Sequence, residues 1–223
     1  MLTKIAVLGV GRVGTAVARA ALDAGLAANV AASGPAEDIA LIAEIITPGA
    51  AAHTAQDAVA DADLVVVAVP LNKYRTLDPA MLEGKIVVDV MNHWAEVDGS
   101  LAEVSEDPRR TSEIVAAHLS GSRVVKTLNH IGYHEIEDDA RRGSTDGRRA
   151  LAIAGDDAEA VAAVTELVDR IGFDPVFAGP LAVGAVFEAG TPIFFGSFDA
   201  EGMRRALADA DVAVPEAVAV GVH

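Results

Sequence analysis

The chain has 223 residues, a formal net charge of −16 and no cysteine, which excludes disulfides, a thiol nucleophile and a cysteine zinc site. The acidic balance argues against nucleic acid and anionic membranes as partners, and no apolar run reaches the roughly eighteen residues of a membrane span. Apolar residues make up 52% of the chain but aromatic residues only 4%, a composition typical of helices on a buried parallel sheet. We expect a cytoplasmic α/β protein.

The first predicted strand leads into a glycine-rich turn. The apolar run from Lys4 to Leu8 continues directly into G-x-G-x-x-G, so we interpret it as mature structure and not as a signal peptide. A helical pattern follows, which is the context that a dinucleotide-binding turn requires. Its amides and helix dipole would bind a pyrophosphate. The predicted contacts are Gly9, Val10, Gly11, Arg12, Val13 and Gly14.

A second predicted strand ends at Ser33, where a Rossmann domain reads the adenosine ribose. No acid follows until Glu37, so Ser33 and Gly34 favour the 2′-phosphate of NADP over the 2′-hydroxyl of NAD. Alternatively, Ser33 only caps the next helix, for which Ile39, Ile42, Ala43 and Ile46 supply the apolar spacing. Arg12 is a second candidate for the pyrophosphate or 2′-phosphate, or else a solvated arginine.

The central strands provide the predicted nicotinamide side. A short third strand is predicted near residues 51–54, a fourth over 63–70 and a fifth over 85–90. The fourth should lie beside the first, at the switch point where dinucleotides bind. Asp78-Pro79 predicts a helix start. The candidate cofactor contacts here are Ala68, Val69, Pro70, Leu71, Tyr74, Met91 and Asn92.

His93 and Trp94 follow strand five on the ligand side of the sheet, and both are candidate substrate contacts. Trp94 is the only tryptophan. It either walls a planar ligand or fills a core or subunit contact. Residues 96–112 are polar and are predicted to form a loop.

Strand six is predicted over 123–128, followed by the candidate substrate residues Asn129, His130 and His134. The two histidines are four residues apart and could share a helical face, but no third ligand is in view, so we predict no metal site. Residues 109–149 carry eight Lys and Arg against six Asp and Glu, a local charge of +2. This cationic segment either binds an anionic ligand or is a solvated loop that contains Arg141-Arg142 and Arg148-Arg149.

From residue 149 the strand–helix pattern repeats. A strand over 150–154, a helix capped by Asp156 and ended by Gly172, and a strand over 173–177 extend the sheet. We expect residues 1–148 to form a doubly wound Rossmann domain, with residues 149–223 as a C-terminal extension that continues the sheet and forms a small lobe. Ile193-Phe194-Phe195 is predicted to cover a sheet end or a partner subunit. Residues 203–223 have no assigned role.

Several segments together resemble the NADP-dependent oxidoreductases that use the deazaflavin coenzyme F-420. The resemblance covers Lys4 to about Glu188. It rests on the glycine turn, on Ala68-Val69-Pro70, on the segment 124–129, on the segment 153–157, and on 172–176 leading to Gly179-Pro180-Leu181.

The resemblance implies a Rossmann fold with a small C-terminal lobe, a homodimer, and direct hydride transfer between NADP and the deazaflavin, F-420 serving as co-substrate. It maps the 2′-phosphate contact onto Ser33 and the nicotinamide contacts onto Val69, Pro70 and Thr127. Two positions depart from the family pattern: Gly34 follows Ser33 where arginine is usual, and Asn92-His93-Trp94 replaces Asn-Pro.

Hydride transfer between ring carbons needs apposed rings and no nucleophile or metal, so we predict no catalytic side chain. The main hypothesis is an NADP:deazaflavin oxidoreductase. An NADPH-dependent reductase of another small acceptor, such as an imine, carbonyl, flavin or ferric chelate, is an alternative. A non-catalytic NADP-binding sensor is a third.

Overall fold

The computed structural model describes residues 1–94, 99, 107, 109–144 and 146–210. Within these residues, one eight-stranded sheet has the order β3-β2-β1-β4-β5-β6-β7-β8. The strands are β1 (Lys4–Leu8), β2 (Ala27–Ala31), β3 (Ala51–Ala52), β4 (Leu64–Val67), β5 (Ile86–Asp89), β6 (Arg123–Lys126), β7 (Ala150–Gly155) and β8 (Asp174–Gly179). Neighbours are parallel except β6 and β7, which are antiparallel. The predicted Rossmann-type α/β sheet is confirmed, with two added strands that run the opposite way.

Helices cover both faces of the sheet. They are α1 (Arg12–Asp23), α2 (Glu37–Ile46), α3 (Ala55–Ala60), α4 (Thr111–His118), α5 (Glu135–Asp138), α6 (Ala158–Arg170), α7 (Pro192–Phe195) and α8 (Ala200–Asp209), with 3-10 segments at Leu71–Thr76 and Leu181–Phe187. One apolar cluster joins α1, α2, α5 and α6 to the sheet, and a second joins α3, α4 and the first 3-10 segment. No helix in the described part of the chain is long and apolar enough to cross a membrane.

Valine and alanine build the sheet because its central strands are buried on both faces. All four residues of β4 are fully buried, as are Ile5, Ala6 and Val7 of β1. β1 pairs with β2 on one side and β4 on the other, so the ends of three strands meet at the glycine turn. A third apolar cluster packs the second 3-10 segment, α7 and α8 against β7 and β8.

Two predicted helix starts are wrong. Residues 79–84 form hydrogen-bonded turns, and the Asp78 carboxylate accepts only from the Ala80 amide, at 2.9 Å. Asp157, not Asp156, caps α6 by accepting from the Ala160 amide at 2.7 Å, because β7 extends through Gly155. Asp156 instead accepts from the Leu181 amide at 2.9 Å.

The predicted apolar stripe of α2 is only half correct. Ile39 and Ala43 are buried, but Ile42 and Ile46 are 46% and 42% exposed. The helix lies at the sheet edge beside the two-residue β3, which covers only a narrow stripe of it. At the other end of the chain, α8 buries Met203, and residues 211–223 lie outside the described residues. So does most of the loop predicted over 96–112, which gives way to α4 at Thr111.

Candidate functional site: a cleft at the carboxyl ends of the strands

The glycine turn after β1 has a different physical requirement at each glycine. Gly9 has φ +113°, and a Cβ there would lie 2.5 Å from the Ala68 carbonyl oxygen. A Cβ on Gly14 would lie 1.9 Å from the Gly9 carbonyl oxygen. A Cβ on Gly11 would meet nothing within 4 Å. Two glycines therefore close the turn, whereas the third leaves open space beside its backbone.

Helix α1 begins at this open space. Its N-cap is Gly11, no side chain caps the first amides, and the first turn contains no acid. The unpaired amides and the positive end of the helix dipole consequently have no internal anion to satisfy them. Such a helix start is suited to bind a phosphate.

A cleft of about 740 Å³ opens over the turn. Of the predicted cofactor contacts, it is lined by Gly9, Val10, Gly11, Ser33, Gly34, Ala68, Val69 and Pro70. The structure therefore brings together the ends of β1, β2 and β4. The remaining lining residues are Leu8, Ala31, Ala32, Ala55, Lys73, Thr76, Leu77, Asp78 and Met81.

The other predicted cofactor contacts are not among the residues that line the cleft. Leu71 and Tyr74 are 2% and 1% exposed and belong to the second apolar cluster. The buried Thr127 hydroxyl donates to the Ala152 carbonyl at 2.8 Å, so it points toward β7. Arg12 stacks over the Tyr133 ring at 5.5 Å. Val13, Gly14, Met91 and Asn92 do not line the cleft either.

Asn129 and His130, predicted as substrate contacts, are 3% and 2% exposed. The His130 Nε2 accepts from the Ala152 amide at 3.0 Å, and its Nδ1 lies 3.2 Å from the Asn129 Oδ1. Burial lowers the pKa of His130 from 6.5 to about 3, with further lowering by Arg149 and Lys126. The ring is therefore neutral and holds the start of β7 to the segment after β6.

The two predicted substrate aromatics after β5 lie near the surface. His93 is half-buried with Nε2 3.1 Å from the Gly99 carbonyl, and Trp94 is 41% exposed. Trp94 packs edge-to-face on Phe194 with the ring centres 5.4 Å apart, and Phe194 packs likewise on Phe195 at 5.3 Å. Phe195 is 75% exposed. We call Trp94, Phe194 and Phe195 the aromatic cluster.

His134 is exposed and packs on Tyr133 at 5.3 Å. It precedes α5, whereas His130 lies in an irregular turn, so the two histidines do not share a helical face. Among the described residues, no group of three His, Cys, Asp or Glu side chains could hold a metal ion.

Two arginines of the cationic segment are buried in ion pairs. Arg148 and Arg149 are each 8% exposed. Arg148 pairs with Asp169 at 2.8 Å and Asp174 at 3.3 Å. Arg149 pairs with Glu135 and Asp139, both at 3.0 Å. The prediction of a solvated loop is therefore wrong for these two arginines, and their charges are already compensated by acids.

Three charged residues near the sites were not selected by sequence reasoning. Lys73 lines the cleft together with residues at the end of β2. Asp89 and Lys126 are fully buried, and Lys126 Nζ lies 3.6 Å from Asp89 Oδ2. Asp89 and Lys126 each end an apolar strand, and these two strands are neighbours in the sheet. Charged residues at the ends of apolar strands are the sequence pattern that could have indicated this pair.

Comparison with known proteins agrees with this geometry. Residues 4–93 match the model of the family described as "NADP oxidoreductase coenzyme F420-dependent". Metalloreductase STEAP3 of Rattus norvegicus is 29% identical over 189 residues, which cover 83% of this chain. The chain spans only 36% of the length of that relative.

Solved structures extend the likeness to most of the chain. The hypothetical protein SMa0349 of Sinorhizobium meliloti is 26% identical, with a TM-score of 0.76 over 89% of this chain and 95% of that one. An Arthrobacter sp. FB24 protein, proposed to be an F-420-dependent NADP reductase, is 28% identical, with a TM-score of 0.68 over 80% and 86%. A reductive aminase of Aspergillus terreus shares the fold alone, at 18% identity and a TM-score of 0.55 over 82% and 56%.

Proposed function

We propose, from the premise that the chain belongs to the family of coenzyme F-420-dependent NADP oxidoreductases, that it transfers a hydride between NADP(H) and a planar acceptor of the deazaflavin F-420 type. The family is NADP-dependent, whereas the acceptor and the residues that contact it are our proposal. The observation that carries it is the cleft over the glycine turn, which lies at the carboxyl ends of β1, β2 and β4, the position of a dinucleotide site in a Rossmann fold.

The proposed pyrophosphate contacts are the backbone amides from Gly11 onward. The open side of Gly11 allows phosphate oxygens to approach the chain, and the uncapped start of α1 supplies hydrogen-bond donors. The nicotinamide half of NADP would then extend along Ala68, Val69 and Pro70, at the end of β4. These residues present backbone and small apolar groups, which suit a flat ring.

Two charges bear on the choice between NADP and NAD. The Asp38 carboxylate lies close to Gly34, just after the end of β2: a Cβ placed on Gly34 would be 3.1 Å from Asp38 Oδ2. It disfavours a 2′-phosphate. Lys73 lines the same cleft as Ser33 and is the cation that we assign to the 2′-phosphate, in place of the arginine usual at the position of Gly34. Because Lys73 favours a 2′-phosphate and Asp38 disfavours it, we expect a preference for NADP that a substitution of either side chain would change.

For the acceptor, we propose the aromatic cluster. Trp94 follows β5 and therefore lies at the carboxyl edge of the sheet, the edge where the dinucleotide would bind. Its partly exposed ring and the exposed Phe195 offer apolar faces on which a planar ring system can stack. A planar aromatic acceptor fits this surface better than an aliphatic one.

When bound, NADPH would supply a hydride from its nicotinamide, and reduction of the acceptor would consume that hydride and one proton. The chain's part is to hold the two rings about 3–3.5 Å apart and to exclude water. Apolar residues, not acids or bases, are suited to that task.

The direct test mixes purified protein, NADPH and F-420 and follows the visible absorbance of the coenzyme. We expect its loss in proportion to NADPH oxidised. A Trp94→Ala variant should raise the KM for the coenzyme at least fivefold while the dissociation constant for NADPH stays within twofold. Absence of turnover at saturating coenzyme would reject the proposed acceptor, and any robust turnover excludes the sensor hypothesis.

Reduction of a ferric chelate is the second candidate, favoured by the 29% identity to a metalloreductase over most of this chain. An assay of NADPH oxidation with a ferric chelate alone, and then with added flavin, separates it from the first candidate. We also propose a homodimer, as the family resemblance implies, and light scattering on the purified protein tests it.

A further inference from the structure

A buried charged pair lies beneath the loop that carries Trp94. Asp89 ends β5 and Lys126 ends β6, and the two residues face each other in the parallel register. Both side chains are 0% exposed, with Lys126 Nζ 3.6 Å from Asp89 Oδ2 and 3.9 Å from Glu188 Oε1. Removing such ions from water is unfavourable unless the geometry repays it, and apolar replacements often stabilise equally well. Stability alone is therefore a weak reason for these charges.

Both side chains bind the polar backbone groups of one residue. The Met91 amide donates to Asp89 Oδ1 at 2.9 Å, and the Met91 carbonyl accepts from Lys126 Nζ at 3.3 Å. The Ser112 hydroxyl of α4 donates to the other carboxylate oxygen of Asp89 at 2.5 Å. The two backbone polar groups of Met91 are thus held by separate side chains, three residues before Trp94.

The next residue is tied down as well. Asn92 Nδ2 donates to the Asn129 carbonyl at 2.7 Å, and Asn129 Nδ2 donates to Asn92 Oδ1 at 3.1 Å. Between β6 and Asn129, Leu128 has φ +61°, a conformation that a bulky residue adopts only when its surroundings enforce it. The exits of β5 and β6 are therefore fixed to each other by side-chain bonds on both strands.

Water is excluded from the pair by the second 3-10 segment. A Cβ on Gly184 would lie 2.7 Å from Lys126 Cδ, so only glycine permits this close cover. Glu188, which follows the segment, also accepts from the Thr111 hydroxyl at the start of α4. The lysine ammonium group is therefore enclosed between Asp89, Glu188 and the second 3-10 segment.

We infer that Asp89 and Lys126 are positioning residues: they fix the loop after β5 so that Trp94 is presented to the hydride acceptor in a preset orientation. The inference rests on the proposed function for the identity of the ligand, but the fixing of the loop can be measured without any ligand. A displacement of about 1 Å at a reacting centre can cost on the order of a hundredfold in rate, so a loosened loop should be kinetically visible.

The test variant is Asp89→Asn with Lys126→Met. It removes both charges together, so neither Asp89 nor Lys126 is left as a fully buried ion without the other, and Glu188 keeps its bond from the Thr111 hydroxyl. The introduced carboxamide would retain an acceptor for the Met91 amide, whereas the bond to the Met91 carbonyl is lost. The control is Arg148→Met, which breaks the ion pair of a buried arginine with the exposed Asp169, far along the chain from this loop.

Trp94 is the only tryptophan, so its fluorescence reports on the loop directly. In the double variant we expect acrylamide quenching to increase about twofold and the emission anisotropy to fall. We also expect kcat/KM for the acceptor to fall at least tenfold, with NADPH affinity within twofold. Arg148→Met should lower the melting temperature and leave quenching, anisotropy and kcat/KM unchanged.

Unaltered quenching and anisotropy in the folded double variant would overturn the inference, as would equal changes in the control. If the wild-type protein does not reduce F-420, the proposed function fails, but the fluorescence comparison still decides whether the pair fixes the loop.

Discussion

Replacing Gly11 with alanine tests the dinucleotide site at a position where the protein has room for the added methyl group. The added methyl group meets no protein atom within 4 Å, and the residue has φ −76° and ψ −174°, which alanine adopts without strain. Alanine is a poorer N-cap than glycine by some tenths of a kcal/mol, and it also restricts the unfolded chain. We expect the free energy of unfolding to change by less than about 1 kcal/mol.

The effect on binding should be much larger. A phosphate that packs against the Gly11 Cα would overlap the methyl group, and steric overpacking typically costs about 1–3 kcal/mol. At about 1.4 kcal/mol per tenfold, the dissociation constant for NADPH should rise roughly 5- to 150-fold. Calorimetric titration measures the affinity, and urea unfolding measures the stability on the same preparation.

Gly14→Ala is the matched control because it lies in the same turn, but its methyl group would clash with the protein itself. Its methyl group would lie 1.9 Å from the Gly9 carbonyl oxygen, so it should lower stability markedly even without a ligand. An NADPH affinity for Gly11→Ala within twofold of the wild type would refute the placement of the pyrophosphate at this turn.

Two further predictions concern charges. Lys73→Met should weaken NADPH about five- to tenfold and leave NADH nearly unchanged, whereas Asp38→Asn should tighten NADPH; equal effects on the two dinucleotides would show that neither charge reads the 2′-phosphate. For His130, the pKa in the folded protein is about 3 against an ordinary value of 6.5, so the unfolded chain binds the extra proton as pH falls below about 6.5. Stability from this residue is complete above that pH and should decline by up to about 1.4 kcal/mol per pH unit below it. His130→Gln should remove that part of the slope in urea unfolding between pH 6.5 and 4.5, and parallel slopes would contradict the assignment.

The sheet and the glycine turn were predictable because local sequence determines both. A β-branched run such as β4 has few alternatives to a buried strand, and the spacing Gly9, Gly11, Gly14 encodes backbone geometry directly. The helix boundary at Asp156 and Asp157 was missed by one residue, since two adjacent aspartates offer equivalent caps and only the end of β7 decides between them.

The substrate side could not be predicted to the same degree. His130 follows a strand end, where a ligand contact is a reasonable expectation, but β7 pairs antiparallel with β6 and brings Ala152 to its ring. Strand direction depends on tertiary packing and has no local signal. Asp38 approaches Gly34 across the short turn between β2 and α2, and no sequence pattern indicates the direction of its side chain.

The reversal of direction between β6 and β7 has a consequence for folding. Strands β1 to β6 already satisfy the Rossmann topology, yet Thr127 and His130 bond to Ala152, and Gly184 seals Lys126 from water. A fragment ending near residue 148 would expose the Lys126 ammonium group and would leave Thr127 and His130 without their hydrogen-bond partner Ala152. We therefore expect the two halves of the chain to melt as one cooperative unit, with no autonomous dinucleotide-binding module to excise.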